Sequence, residues 1–114
     1  MHEASLALAV LDIVNQEARK HGAERIARIQ LAVGPFFGLE WETFAHFFAL
    51  AAEGGVAEGA ELEQESAPAQ AVCRDCGREF ELHRIRDRCP GCGGDELDCL
   101  GGRMFAIVGL EAAN

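Results

Sequence analysis

The sequence predicts an α+β fold: a small α/β domain of two helices and a three-stranded, mostly antiparallel sheet, interrupted by an inserted four-cysteine metal ribbon. Three observations predict it. Helical and strand periodicities alternate over residues 4–66. Two Cys-x-x-Cys turns, Cys73-Arg74-Asp75-Cys76-Gly77 and Cys89-Pro90-Gly91-Cys92-Gly93, stand twelve residues apart. After them comes a strand too apolar to stand alone, which must rejoin an earlier sheet. The expected division is a domain begun by residues 1–67, a metal ribbon over 68–101, and a returning strand in 102–114.

In chain order, residues 4–20 place Leu6, Val10, Ile13, Val14 and Ala18 on one helical stripe, with Asp12, Asn15, Gln16 and Arg19 opposite. Lys20, His21 and Gly22 supply terminal positive charge and a C-cap glycine. From Ile26 to Val33, Ala27, Ile29, Leu31 and Val33 alternate with Arg28 and Gln30, the period of a strand, which Gly34-Pro35 ends. Phe36-Phe37-Gly38-Leu39 reads as an apolar loop packed on the core. Glu40 to Glu53 returns to helical spacing, with Trp41, Phe44, Phe48 and Ala51 on a stripe that Phe47 and Leu50 widen; His46 falls off it, and Gly54-Gly55 terminates it. Residues 60–66 alternate Ala60, Leu62 and Gln64 with Glu61, Glu63 and Glu65, as an edge strand protected by charge.

Ala67-Pro68-Ala69-Gln70 reads as a linker entering the metal module at Val72. Phe80 and Leu82 alternate with Glu79, Glu81 and His83 as in a small hairpin, and Leu97, Cys99 and Leu100 as in a closing strand, with Cys99 as a small buried apolar residue. So little apolar material implies that the metal supplies much of the ribbon's folding free energy, on the order of 10 kcal/mol. In the last strand Met104, Ala106, Val108 and Leu110 alternate with Arg103, Phe105 and Ile107.

Nineteen acidic against ten basic residues give a formal charge of −9, which repels phosphate backbones and argues against a nucleic-acid partner. Arg74, Arg78, Arg84, Arg86 and Arg88 cluster near the ribbon but alternate with acids, as a mixed solvated face does. No apolar run approaches the roughly 18 residues of a membrane span, and residues 1–20 lack the basic start of a signal peptide. A cytoplasmic protein with reduced thiols is expected.

Cys73, Cys76, Cys89 and Cys92 complete a closed tetrahedral shell, the pattern of structural zinc, with a glycine after each pair. A closed shell leaves no substrate position, so no enzyme is expected. Iron fits the same ligands, as in rubredoxin-like knuckles, and spacing does not separate the two; a nucleic-acid-binding zinc ribbon is the other alternative. At a free N-terminus, Met1-His2-Glu3 is itself a chelate. The Met1 amine, the His2 backbone nitrogen and the His2 imidazole form two fused rings that favour Ni(II) or Cu(II), and Glu3 or another carboxylate can complete the shell. Amide and imidazole must lose protons to bind, so affinity falls with pH.

Met1-His2-Glu3, the strand ending at Val33-Gly34, the helix beginning near Glu40 and the Cys73/Cys76, Cys89/Cys92 ribbon together resemble the HypA/HybF family, over essentially the whole chain. The resemblance implies a nickel metallochaperone for nickel-iron hydrogenase maturation, with a nickel domain built from both chain ends and a zinc domain inserted in it. Carried over by position, His2 is the principal Ni(II) ligand beside the Met1 amine, Glu3 a ligand or near neighbour, and Glu40 a carboxylate within reach. Cys73, Cys76, Cys89 and Cys92 match the Zn(II) ligands of a docking module. Where some relatives carry histidines after the cysteine pairs, this chain has Gly77-Arg78 and Gly93-Gly94, leaving His83 as the nearby histidine. The implied partners are a HypB-type GTPase, the hydrogenase large-subunit precursor and, in some organisms, urease maturation proteins. A homodimer is compatible with the sequence.

Overall fold

A computed structural model describes residues 2–113. The elements run α1 (Glu3–Lys20), β1 (Ile26–Val33), α2 (Trp41–Ala52), β2 (Glu61–Ser66), β3 (Ala69–Cys73), β4 (Glu79–Leu82), β5 (Leu97–Gly101) and β6 (Phe105–Ala112). They form two three-stranded sheets, ordered β2-β1-β6 and β4-β3-β5. The apolar C-terminal strand therefore does rejoin the first sheet, beside β1. The chain packs as two units, one of residues 1–31, 39–64 and 107–114, the other of 32–38 and 65–106. Among the described residues no helix is long and apolar enough to cross a membrane.

In the first unit α1 buries Leu6, Ala7, Val10, Val14 and Ala18. Ile13 is 47% exposed instead, because at about 100° per residue it falls just outside the arc those side chains define. The chain leaves α1 through Gly22 in a left-handed conformation. On α2 only Phe44, Phe48 and Ala52 are buried, a single i, i+4 row. Phe47 and Leu50, expected to widen that stripe, are exposed. Trp41, Phe44 and Phe48 pack in series, Trp41 tilted on Phe44 at a ring-centroid distance of 5.7 Å and Phe44 stacked on Phe48 at 6.2 Å. After α2 the Gly54 N–H donates to the Glu58 carboxylate at 2.6 Å, closing the turn.

The acidic face expected of β2 is present, and it is tied down. Arg28 of β1 reaches Glu61 at 3.8 Å, Glu63 at 3.1 Å and Glu111 of β6 at 3.2 Å, so one guanidinium meets carboxylates from both flanking strands. The contact from Nε to Glu63 is an ion pair by distance without hydrogen-bond alignment.

In the second unit β3 is the middle strand, antiparallel to both neighbours, with Ala71 opposite Phe80 and Cys99. Ala69 and Gln70 are thus strand and not linker. Alanine has weak strand propensity, but its small side chains alternate inward here and admit Leu82 to a core of Ala69, Ala71 and Leu82 flanked by Phe36, Phe80 and Leu97. Phe36 packs on that core and Phe37 stacks on Phe105 at 4.9 Å, as the apolar-loop reading requires. Gly34 explains the close passage beside it. The Gly34 N–H donates to the Met104 carbonyl at 2.8 Å and the Phe36 N–H to the Gly102 carbonyl at 2.7 Å. A Cβ on Gly34 would collide with the Gly102 backbone, and Gly102 itself has φ +80°.

Candidate metal centres

Cys73 ends β3, which fixes the first turn to the sheet; the second turn is built locally. In each, the glycine after the cysteine pair donates back to the first cysteine's carbonyl, Gly77 to Cys73 and Gly93 to Cys89, both at 2.8 Å. Those glycines have φ +77° and +74°, a conformation that a β-carbon would strain. The chain tightens further where the Cys73 N–H donates to the Arg78 carbonyl at 2.9 Å and the Cys89 N–H to the Gly94 carbonyl at 3.0 Å. Arg74 bonds Asp98 of β5 at 2.6 and 2.9 Å, lashing the first turn to the sheet's edge.

The four sulfurs converge. All lie within 4.8 Å of one another, and between the turns Cys73 lies 3.6 Å from Cys92 and Cys76 3.5 Å from Cys89. Four thiolates about 2.3 Å from a tetrahedral ion stand about 3.8 Å apart, so the sulfur set fits zinc. None of the four is in a disulfide. Cys73 and Cys89 are buried, Cys76 and Cys92 exposed.

Backbone donors aim at these sulfurs and the sulfurs share protons. The Cys92 N–H, helped by the Gly91 N–H, draws Cys89 down to about 6 against its burial. At Cys92 the Gly94 N–H pulls the same way but is outweighed by the neighbouring thiols, and the group is pushed up to about 12. At Cys76 the Arg78 N–H is likewise outweighed, chiefly by the Cys89 thiol and burial, and its pKa is raised.

His83 and Cys99 stand apart from this shell. His83 is exposed and its Nδ1 lies 2.9 Å from the Ser66 hydroxyl, a partner 17 residues away that no local pattern announces. Cys99 is exposed, contrary to the expectation of burial. It faces the same side as Ala71, but β5 is an edge strand, and among the described residues no strand extends the sheet beyond it.

At the other candidate centre α1 begins at Glu3. His2 is its N-cap, exposed and extended at φ −83° and ψ 144°, and the Leu6 N–H donates to its carbonyl at 3.0 Å. The imidazole makes no capping bond, and the His2 nitrogen precedes the helical ladder. The Met1 amine expected in the chelate lies outside the described residues. Glu3 and Glu40, 37 residues apart in sequence, meet: the Glu40 backbone N–H donates to Glu3 Oε2 at 3.1 Å. That bond, then Glu3's own N–H and the nearby His2, hold the Glu3 carboxyl below its ordinary pKa. The Glu40 side chain is exposed and makes no capping bond to α2.

The family described as "Hydrogenase/urease nickel incorporation, metallochaperone, hypA" matches residues 1–112. A hydrogenase maturation factor HypA of Chlorobium limicola is 41% identical over 107 residues, covering 94% of this chain and 92% of its own. One of Streptomyces avermitilis is 41% identical over 113 residues, covering 97% and 86%. Among solved structures, the nickel metallochaperone HypA from Helicobacter pylori superposes with a TM-score of 0.66 at 22% identity, over 98% of this chain and 97% of that one, a likeness of fold.

Proposed function

The chain belongs to the HypA family of hydrogenase and urease nickel-incorporation metallochaperones, and from that premise we propose that it captures Ni(II) with its own first residues and delivers it during nickel-iron hydrogenase maturation. The observation that carries this reading is the setting of His2. It is exposed and extended, its backbone nitrogen precedes the helical ladder, and the Glu3 carboxylate is next to it in the chain. In this reading the Met1 amine, the His2 amide nitrogen and the His2 imidazole hold the ion, and a carboxylate from the Glu3/Glu40 pair completes the site. Nitrogen donors of this kind select nickel or copper over zinc, and an exposed chelate can give its cargo up.

The Cys73, Cys76, Cys89 and Cys92 shell is read as resident structural zinc. Zinc there supplies cross-linking charge and no open coordination position. Its module, residues 68–101, shapes a surface on which partners dock; these are a HypB-type GTPase and the hydrogenase large-subunit precursor, and urease maturation proteins where present. Such exchange takes place in the cytoplasm, where thiols stay reduced.

Nickel calorimetry on the native chain, on His2→Ala and on a chain extended by a few residues before Met1 tests the chelate. One Ni(II) per native chain and loss of high-affinity binding in both altered chains are expected. Equal binding by all three refutes it.

A further inference from the structure

We propose that Glu40 serves the N-terminal nickel site through its backbone N–H and not through its carboxylate: the N–H clamps Glu3, so that Glu3 is the acid held ready beside His2. The inference rests on the nickel reading above and adds to it a division of roles between two glutamates.

Glu3 stands in the first turn of α1 and Glu40 at the N-cap of α2, and the 3.1 Å bond between them ties the start of one helix to the start of the other. At an N-cap the residue's own N–H lies outside the helix, so it is free to serve another group. Glu40 spends it on Glu3. Its carbonyl still opens α2 by accepting from the Phe44 N–H at 3.0 Å, while its side chain is exposed and makes no capping bond to α2. The Glu3 carboxylate is thereby held at one oxygen, adjacent in sequence to His2. A carboxylate aimed by a charge-assisted hydrogen bond loses little orientational freedom on binding, which is how a neighbouring group assists a ligand.

The backbone geometry supplies a clean experiment. Glu40 has φ −87° and ψ 98°, near the proline range, so Glu40→Pro deletes the N–H while keeping the carbonyl that starts α2. Glu40→Gln does the reverse, removing the carboxylate charge and keeping the N–H. Nickel affinity by calorimetry and the absorption spectrum of bound Ni(II) should be recorded for native protein, Glu40→Gln, Glu40→Pro, Glu3→Gln and the Glu3→Gln/Glu40→Pro double variant, each checked for folding by circular dichroism. Glu40→Gln is expected to bind within about twofold of native with an unchanged spectrum. Glu40→Pro is expected to weaken binding about tenfold and to shift the spectrum toward that of Glu3→Gln.

The double variant is expected to be no weaker than Glu3→Gln alone, since the N–H acts only through Glu3. Additive losses in the double variant, or a Glu40→Gln variant as weak as Glu3→Gln, overturn the proposal and give Glu40 a role of its own. A native chain that takes up no nickel sinks the nickel reading, and the clamp with it; native binding with Glu40→Pro unaffected sinks only the clamp.

Discussion

Zinc affinity should depend steeply on pH, with a slope fixed by the four sulfurs. The perturbation is proton concentration alone. A tetrahedral zinc requires four thiolates, and every thiol still protonated in the metal-free protein must release its proton on binding. Cys92 at about 12 and Cys76, raised above its ordinary value, are both thiols at neutral pH, whereas Cys89 at about 6 is already a thiolate. At least two protons therefore leave between pH 6 and 9, and affinity rises with pH. Two protons correspond to at least about 100-fold per pH unit, and below about pH 6, where Cys89 also binds a proton, the slope steepens to about 1000-fold.

Competition against a chromophoric chelator of known proton dependence, run in half-unit steps from pH 6 to 8, measures the slope. Calorimetry in two buffers of different ionisation enthalpy counts the protons directly. A slope of tenfold per unit or less would show the sulfurs already ionised without metal, and the argument from shared protons would be wrong.

Three further outcomes rest on packing. Gly34→Ala drives a Cβ into the Gly102 backbone, and overpacking plus one lost hydrogen bond should cost about 2–4 kcal/mol in denaturant titration; Gly55→Ala, whose Cβ would meet only the Ala52 carbonyl at 3.5 Å, should change stability by under about 1 kcal/mol. Cys99→Ser should leave zinc stoichiometry intact and stability within about 0.5 kcal/mol, and mass spectrometry of zinc-loaded protein treated with iodoacetamide should find the label at Cys99. Phe44→Ala, at the centre of the α2 aromatic series and fully buried, should cost about 3–5 kcal/mol, read from the shift in thermal midpoint.

Much of this architecture was legible because its signals are periodic or covalently local. The cysteine turns announce themselves by spacing, and the final strand by having nowhere to go but an earlier sheet. Three of the misreadings share a cause: periodicity reports which side of an element is apolar but not how wide its partner is. Ile13, Phe47 and Leu50 lie at the margins of their stripes, and the packing partner covers only the centre. Ala69-Gln70 was hidden by alanine's poor strand propensity, although a crowded core beneath Phe36 and Leu82 needs a small side chain there. Cys99 alternates like a core residue, and only the strand order reveals that it lies at an edge. The bond from Glu40 to Glu3 has no signature in the chain at all, since it joins a backbone group to a carboxylate 37 residues away.

The placement of β6 beside β1 also makes the first sheet depend on the last strand of the chain. The sheet of β4, β3 and β5 has all its strands once residue 101 has been synthesised, whereas the first sheet waits for residues 105–112. A stop codon after Gly101 would then yield a polypeptide that takes up zinc while its first sheet is left with an open flank along β1.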